Sequence, residues 1–358
     1  MIDDTQKLLL QSISTPIDKL APELFIADEN MAEDVLREIA QKIPVITNRF
    51  NLFRAIQHSG SQHQFSDFDL SQIAAASLQR IYYRTSKEKA AVHFIINAAT
   101  RLLKPQGELV LAGEKQQGIQ TYIKKAEATL NSMALVKKDG PARIGIIKKN
   151  KIGVLLDDSN YTRLRPAIQA NELFFYSKPG VFGWDKLDHG SEFLVNYLDR
   201  LPIKNSRLLD LGCGYGYLAV MAHQHAPKLI HATDNNAAAV LTCKKNFEQF
   251  KISGDVIADN IGASLTPGYD VILCNPPFHK GFDVTHGMTD QFLAASARLL
   301  EKSGQALFVV NGFIALEKLA ANYFKNIETI ADNRKFKVIL LAAKKIGKKE
   351  KENANERK

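Results

Sequence analysis

Asn275-Pro276-Pro277-Phe278 follows Tyr269-Asp270-Val271-Ile272-Leu273-Cys274, an apolar run with the composition of a buried strand. Residues of these types at a strand end are suited to holding an amino group. The Asn275 side-chain oxygen and the Pro276 main-chain carbonyl can both face outward as acceptors. Neither proline has an N–H to satisfy and both have fixed φ, so the loop is stiff. The exocyclic NH2 of a nucleobase can donate to both carbonyls while Phe278 stacks on the ring. Taken alone, the four residues read equally well as a turn closed by two prolines.

A second motif favours the chemical reading. Arg207-Leu208-Leu209-Asp210-Leu211-Gly212-Cys213-Gly214-Tyr215-Gly216-Tyr217 reads as a strand, an acidic residue and a glycine-rich turn into a helix. Such a turn lets a ligand approach the main chain. The spacing is G-x-G-x-G, not the G-x-G-x-x-G of dinucleotide folds, and Asp210 precedes it. A carboxylate there repels a pyrophosphate and suits a ligand carrying an ammonium group, such as S-adenosylmethionine. The next strand, Leu229 to Thr233, ends in Asp234-Asn235, where a carboxylate can accept from ribose hydroxyls. A third, Asp255 to Ala258, ends in Asp259-Asn260, placed for an adenine amino group. Each acidic tip alone is more often a turn or a helix cap. Four successive strand ends in this order, Asn275 the last, are hard to ascribe to capping.

The elements that must position these residues alternate strand and helix from about Ser206 to Ala343, with helical stretches at Ala237–Phe250 and Asp290–Leu300 and a further strand at Gln305–Val310. Lys335 to Leu341 reads as the strand closing the sheet edge. This is a doubly wound α/β pattern, and ligands of such sheets bind outside the carboxyl ends of the strands. The first half repeats the plan in faded form. Leu24–Asp28, Pro44–Thr47 and Gln79–Arg84 stand for the first, second and proline-motif strands, and Asn97–Leu111 parallels the region around Leu299–Phe308. The glycine loop and the Asn-Pro-Pro are absent. The expected division is 1–165, a degenerate copy without a cofactor site that binds RNA or supports folding; 166–343, the catalytic domain; and 344–358, a lysine-rich, disordered tail. Between the halves, Lys137 to Lys151 reads as a charged connecting face. In Phe174 to Trp184, Phe182 and Trp184 are candidates for lining the pocket, although packing explains them equally well.

With 358 residues, two domains are the natural expectation. No apolar stretch approaches membrane-spanning length, and Met1-Ile2-Asp3-Asp4 opens without a basic, apolar leader. Cys213, Cys243 and Cys274 show no metal spacing, so no metal is expected and a reducing cytoplasm fits. The net charge of +9, from 47 Lys and Arg against 38 Asp and Glu, suggests an anionic partner, RNA above all.

The chain resembles the bacterial ribosomal small subunit methyltransferase C family, the 16S rRNA guanine-N2 methyltransferases. The resemblance rests on Pro179-Gly180-Val181-Phe182 with Leu187-Asp188, on Leu209 to Gly214, on Asn275-Pro276-Pro277-Phe278-His279 and on Arg334-Lys335-Phe336-Lys337-Val338. It implies two tandem Rossmann-like class I methyltransferase domains, only the second active. It also implies methyl transfer from S-adenosylmethionine to guanine N2 of 16S rRNA on the 30S subunit, by a monomer. Asn275 to Phe278 would hold the base, with Phe182 and His279 touching the RNA. Asp210, Gly212, Cys213, Gly214, Gly216, Asp234, Asn235, Asp259, Asn260 and Asn275 would surround the cofactor. A sister family acting on 23S rRNA shares most motifs. Enzymes of adenine N6 or of glutamine amides use the same tetrapeptide, and a non-catalytic rRNA-binding assembly factor is the alternative outside enzymes.

Overall fold

The computed structural model describes residues 3–13, 22–60, 62–277 and 287–344, with the backbone of 279–280 and 283–284. The first sheet takes β1 (Glu23–Ala27), β2 (Val45–Thr47), β3 (His63–Phe65), β4 (Leu78–Arg84), β5 (Leu103–Glu114), β6 (Leu135–Asp139) and β7 (Ala142–Lys148). A hairpin follows, β8 (Arg165–Ala170) with β9 (Leu173–Ser177). The second sheet takes β10 (Arg207–Leu211), β11 (Leu229–Asp234), β12 (Gly254–Ala258) and β13 (Tyr269–Cys274). After the short pair β14 (His279–Lys280) and β15 (Asp283–Val284) it continues with β16 (Leu300–Asn311), β17 (Phe324–Asp332) and β18 (Phe336–Lys344). The helices are α1 (Asp4–Ile13), α2 (Glu33–Ala40), α3 (Phe50–Ile56), α4 (Lys89–Leu102), α5 (Ile119–Leu130), α6 (His189–Val195), α7 (Tyr217–His223), α8 (Ala237–Phe250), α9 (Met288–Leu299) and α10 (Leu316–Ala320).

The two sheets have one topology. Their orders are β3-β2-β1-β4-β5-β7-β6 and β12-β11-β10-β13-β16-β18-β17. Five strands of each are parallel, and the last-but-one strand runs antiparallel to both neighbours. The central strands bury both faces, so they read as continuous apolar runs: Val271, Ile272, Leu273 and Cys274 are all fully buried. Class I methyltransferase-like α/β architecture, duplicated, is therefore the fold.

Two expectations about the edges need correction. Lys335–Leu341 does not close the second sheet; its strand, β18, lies inside β17. The run is apolar because it is sandwiched, whereas β17 is largely exposed and reads as polar. Lys137–Lys151 is not a free connector either. It supplies the end of β6, whose five residues are all exposed, and the whole of β7, which buries Ala142, Ile144 and Ile147. The expected tail begins one residue later than read: Lys344 ends β18 and donates to the Leu300 carbonyl at 2.8 Å, and the residues after it lie outside those described.

The β8–β9 hairpin belongs to the second core. Phe175 is fully buried and packs on Tyr215, Tyr217 and Phe250, with ring centroids 5.7, 5.5 and 5.2 Å away. Asn246 of α8 ties it down: its amide oxygen accepts from Tyr176 N at 2.8 Å, and its Nδ2 donates to the carbonyls of Tyr176 and Tyr215. Among the described residues, no helix is long and apolar enough to cross a membrane.

Candidate active site

The glycine turn sits where β10 gives way to α7. The N–H groups of Gly212 and Cys213 both donate to the Thr233 carbonyl at 2.9 Å, folding the turn over the tip of β11. Gly212, Gly214 and Gly216 have φ of 85°, 54° and 87°, which only glycine adopts readily. The three differ in what a side chain would meet. A Cβ at Gly212 would touch the Phe292 ring at 3.2 Å, and at Gly216 the Cys243 sulfur at 2.7 Å; at Gly214 it would meet nothing within 4 Å. The outer two glycines serve packing, and Gly214 faces open space. Cys213 is buried between them.

Asp210 is 1% exposed. Its Oδ2 accepts from Ala219 N at 3.0 Å, while Oδ1 has no partner among the described residues. Burial, reinforced by the nearby Asp234 charge, pushes its carboxyl up to about 7. A buried carboxylate oxygen without a donor is costly unless a ligand supplies one. Asp234 Oδ2 accepts from Gly214 N at 3.0 Å and Oδ1 from Asn236 N at 2.8 Å, so the second acidic tip holds the glycine turn in place. Asp259, 2% exposed, accepts from Asn260 N and from both Ser264 N and Oγ; it orders the turn that presents the exposed Asn260.

At the fourth tip, both hydrogens of the Asn275 amide are spent. Nδ2 donates to Asp188 Oδ2 at 2.7 Å and to Ser191 Oγ at 2.9 Å. The remaining functional atom of that side chain is the oxygen, an acceptor. Asp188 caps α6, its Oδ2 accepting from Ser191 N at 2.7 Å, so one carboxylate fixes both the helix start and the amide. Gly190 allows the approach: a Cβ there would lie 3.2 Å from Asp188 Oδ2, 3.3 Å from the Phe336 ring and 3.5 Å from Asn275 Nδ2. Pro276 is buried and Pro277 exposed.

Asp210, Gly212, Cys213, Gly214, Gly216, Asp234, Asp259, Asn260, Asn275, Pro276 and Pro277 thus stand at the carboxyl ends of four adjacent parallel strands. Asn235 is engaged elsewhere. Its amide pairs with that of Asn51 in the first half, receiving from Asn51 N and giving to Asn51 Oδ1, both at 2.9 Å. Phe182 is 82% exposed, and Trp184 lies under the Arg165 guanidinium at 4.7 Å. Phe278 lies outside the described residues, as does the His279 side chain. Sequence reading did not find Asp188, Gly190, Ser191 or Phe336 as site residues. Asp188 and Phe336 stood only inside motif blocks, and nothing local marks a residue 87 positions from Asn275 as its partner.

The donor set fits S-adenosylmethionine. The unpaired Asp210 oxygen suits an ammonium group, Gly214 opens onto space a ligand can fill, and no phosphate-binding basic residue stands among these strand-tip residues.

Comparison with known proteins agrees. The family model described as methyltransferase small domain matches residues 172–340, and that described as methyltransferase small domain N-terminal matches residues 17–144. A protein of Psychromonas ingrahamii named ribosomal RNA small subunit methyltransferase C is 30% identical over 256 residues, 71% of this chain and 72% of that one. One of the same name from Vibrio parahaemolyticus is 28% identical over 318 residues, covering 87% and 90% of the two chains. The solved structure of a T. thermophilus methyltransferase acting on N2 of guanine 1207 in 16S rRNA, bound to AdoMet and guanosine, superposes with a TM-score of 0.78 at 24% identity. The match covers 95% of this chain and 92% of that one. The chain belongs to the ribosomal RNA small subunit methyltransferase C family, a family of S-adenosylmethionine-dependent rRNA methyltransferases.

Proposed function

We propose that this protein methylates the exocyclic N2 of a guanine in 16S rRNA on the 30S subunit, and that its first half has no cofactor site. The observation that carries the reading is the Asn275 amide, whose hydrogens are held by Asp188 and Ser191 so that its oxygen is the atom offered. Such a site is built for a donor, an NH2 group. Adenine N6 and amide nitrogens are donors as well. Guanine is preferred because relatives matching most of this chain carry the small-subunit name, and because the neighbour with the same two-domain fold is described with guanosine bound.

S-adenosylmethionine supplies an electrophilic methyl group when bound. Asp210 Oδ1 would receive its ammonium, Asp234 its ribose hydroxyls, Asp259 and Asn260 the adenine edge, and Gly214 the close main-chain approach, with Gly212, Cys213 and Gly216 holding the turn in shape. Asn275 Oδ1 and the Pro276 carbonyl would accept the two N2 hydrogens of the guanine. Amide-like lone pairs are delocalised into the ring and react poorly. Holding both N–H bonds favours a pyramidal nitrogen with its lone pair aimed at the methyl carbon. Positive charge grows on that nitrogen during attack, and the two acceptors stabilise it without rearranging. The carbon–sulfur bond would break as the carbon–nitrogen bond forms, its electron pair staying on sulfur to leave a neutral thioether, and the nitrogen's surplus proton then leaves to water. Phe278 and Phe336 would flank the base, which must be unpaired or flipped out to enter. Asp188 is a positioning residue, acting through the Asn275 amide.

The test is methyl transfer from labelled S-adenosylmethionine to 30S subunits, 50S subunits and free rRNAs in parallel, followed by nucleoside analysis. N2-methylguanosine in 16S rRNA supports the reading. The same nucleoside in 23S rRNA moves the protein to the sister specificity, and N6-methyladenosine or methylated protein removes guanine as the substrate.

A further inference from the structure

Beyond the last buried residue of β16 the chain turns outward and exposes a large aromatic ring. Phe313 is 85% exposed, the highest value among the large apolar side chains of the described residues. Its turn is built, not loose. Ile314 N donates to the Asn311 carbonyl at 2.9 Å, and Gly312 N donates to the Lys335 carbonyl at 2.8 Å. A Cβ at Gly312 would lie 2.6 Å from the Arg334 carbonyl oxygen, so the two turns are in direct main-chain contact. The second turn carries Arg334, Lys335 and Phe336. Asn311 pairs with Phe336 across the ladder, and Phe336 touches Gly190 beside Asn275. A continuous path therefore leads from the Asn275 amide past Phe336 to two cations and the exposed ring.

The charges on this path favour an anion. Arg334 and Lys335 are exposed, and among the described residues neither is ion-paired. Of the neighbouring carboxylates, Glu317 is paired with Lys337 at 3.1 Å, and Asp332, whose Oδ1 accepts from Arg334 N at 2.7 Å, keeps its charge, so the turn carries two cations against one anion. Below Phe336 a groove of about 450 Å³, lined in part by Asn171, His189, Glu192 and Lys335, continues the same surface. Glu192 is the one acidic side chain in it, and His189 lies 3.1 Å away.

We propose that Phe313 is a stacking platform for an unpaired nucleotide adjacent to the target base, and that Arg334 and Lys335 hold the phosphates of that stretch. The proposal rests on reading the Asn275 site as one for a base within RNA. A rigidly mounted, solvent-facing ring beside two exposed cations, one of them Lys335 lying 5.4 Å from the Phe336 ring centroid, is the arrangement by which proteins hold single strands. Because every base has a π face, the platform sets the register and strength of RNA binding, not the identity of the methylated base.

Two experiments test it. Phe313→Ala should raise KM for a single-stranded RNA carrying the target by about tenfold. It should leave S-adenosylmethionine affinity and the inhibition constant of free guanosine unchanged, and Phe313→Trp should restore the RNA KM. An unchanged RNA KM in the alanine variant overturns the proposal. The second experiment does not depend on turnover. Trp184 is the protein's single tryptophan, so Phe313→Trp in a Trp184→Phe background is a lone reporter. Single-stranded RNA should quench it saturably, and a Phe174→Trp control on β9 should stay bright. Absence of quenching, equal quenching of the control, or quenching that follows protein rather than RNA concentration overturns the platform. If the wild-type protein methylates no RNA, the function reading fails while the fluorescence still decides this one.

Discussion

The two halves of this protein have the same strand order and differ at the strand tips. In the second half, β10 runs into Gly212-Cys213-Gly214-Tyr215-Gly216, with an unpartnered Asp210 oxygen and open space at Gly214. In the first, β1 runs into Asp28-Glu29-Asn30-Met31-Ala32, with no glycine. There Asp28 is saturated, accepting from Asn30 N at 3.1 Å and from the Tyr83 hydroxyl at 3.2 Å. Met31 is buried, and Arg84 donates to the Asn30 carbonyl while pairing with Asp3 at 2.8 Å. At the tip of β4, where Asn275 stands in the other half, Thr85 turns inward and donates to the Ala112 carbonyl at 3.2 Å. The apolar pattern that makes a sheet is kept while the few positions that make a site are refilled, so fold and site are separable.

The first half is nonetheless joined to the turn that follows β11. The tips of β2 and β11 meet in reciprocal bonds: Phe50 N donates to the Asn235 carbonyl at 2.8 Å and Ala237 N to the Asn48 carbonyl at 2.9 Å, flanked by the Asn51–Asn235 amide pair. A second tie runs through Lys178, fully buried, which pairs with Asp67 and lies 3.8 Å from the Tyr161 ring centroid. Burial lowers the Lys178 ammonium while Asp67 opposes the shift.

The largest effect that would sharpen this contrast is expected at Asn275. Asn275→Ala should lower kcat on the order of a hundredfold, with S-adenosylmethionine affinity within about threefold of wild type. Single-turnover methyl transfer beside a binding titration checks both. Next comes Gly214→Val, which fills the open space and should weaken cofactor binding by about tenfold or more. The nearest change in the first half, Asn30→Ala, should leave binding untouched; a loss there would break the comparison.

The acidic tips differ in a way that pH can read. Burial holds Asp210 at about 7 and Asp28 at about 6 in the folded chain, both above the unfolded carboxylate value of 3.8. A raised carboxyl favours folding in its protonated form, so this contribution is complete below about pH 4 and is lost as pH rises toward 6 for Asp28 and 7 for Asp210. Asp28→Asn and Asp210→Asn should each flatten the pH dependence of the melting temperature of the ligand-free protein. Cofactor affinity should strengthen with pH up to about 7, by at most about tenfold per unit. Only Asp210→Asn should remove that slope. The smallest effect is expected at the junction: Asn51→Ala should cost about 1 kcal/mol and weaken cofactor binding a few-fold, with a double-mutant cycle against Asn235→Ala showing coupling.

Much of this was legible in the sequence, for a physical reason. Buried parallel strands are apolar runs, and β13 was readable residue for residue, as was α8. The exposed β17 carries no such run, and β3, three residues long, carries too little signal. The strand-tip residues were readable because each stands at the end of its own strand or within a few residues beyond it. Asp188, Ser191 and Phe336 were not, since they reach Asn275 only through folding. Asn235 was assigned to the cofactor by its place beside Asp234. Its amide instead serves a partner 184 residues away.

The comparison reduces to a count. Calorimetric titration of S-adenosylmethionine into the full-length chain should show one site per chain, weakened by Gly214→Val and retained in Asn275→Ala. Two sites per chain, or full binding that survives Gly214→Val, would contradict the account of one working copy and one refilled copy of the same fold.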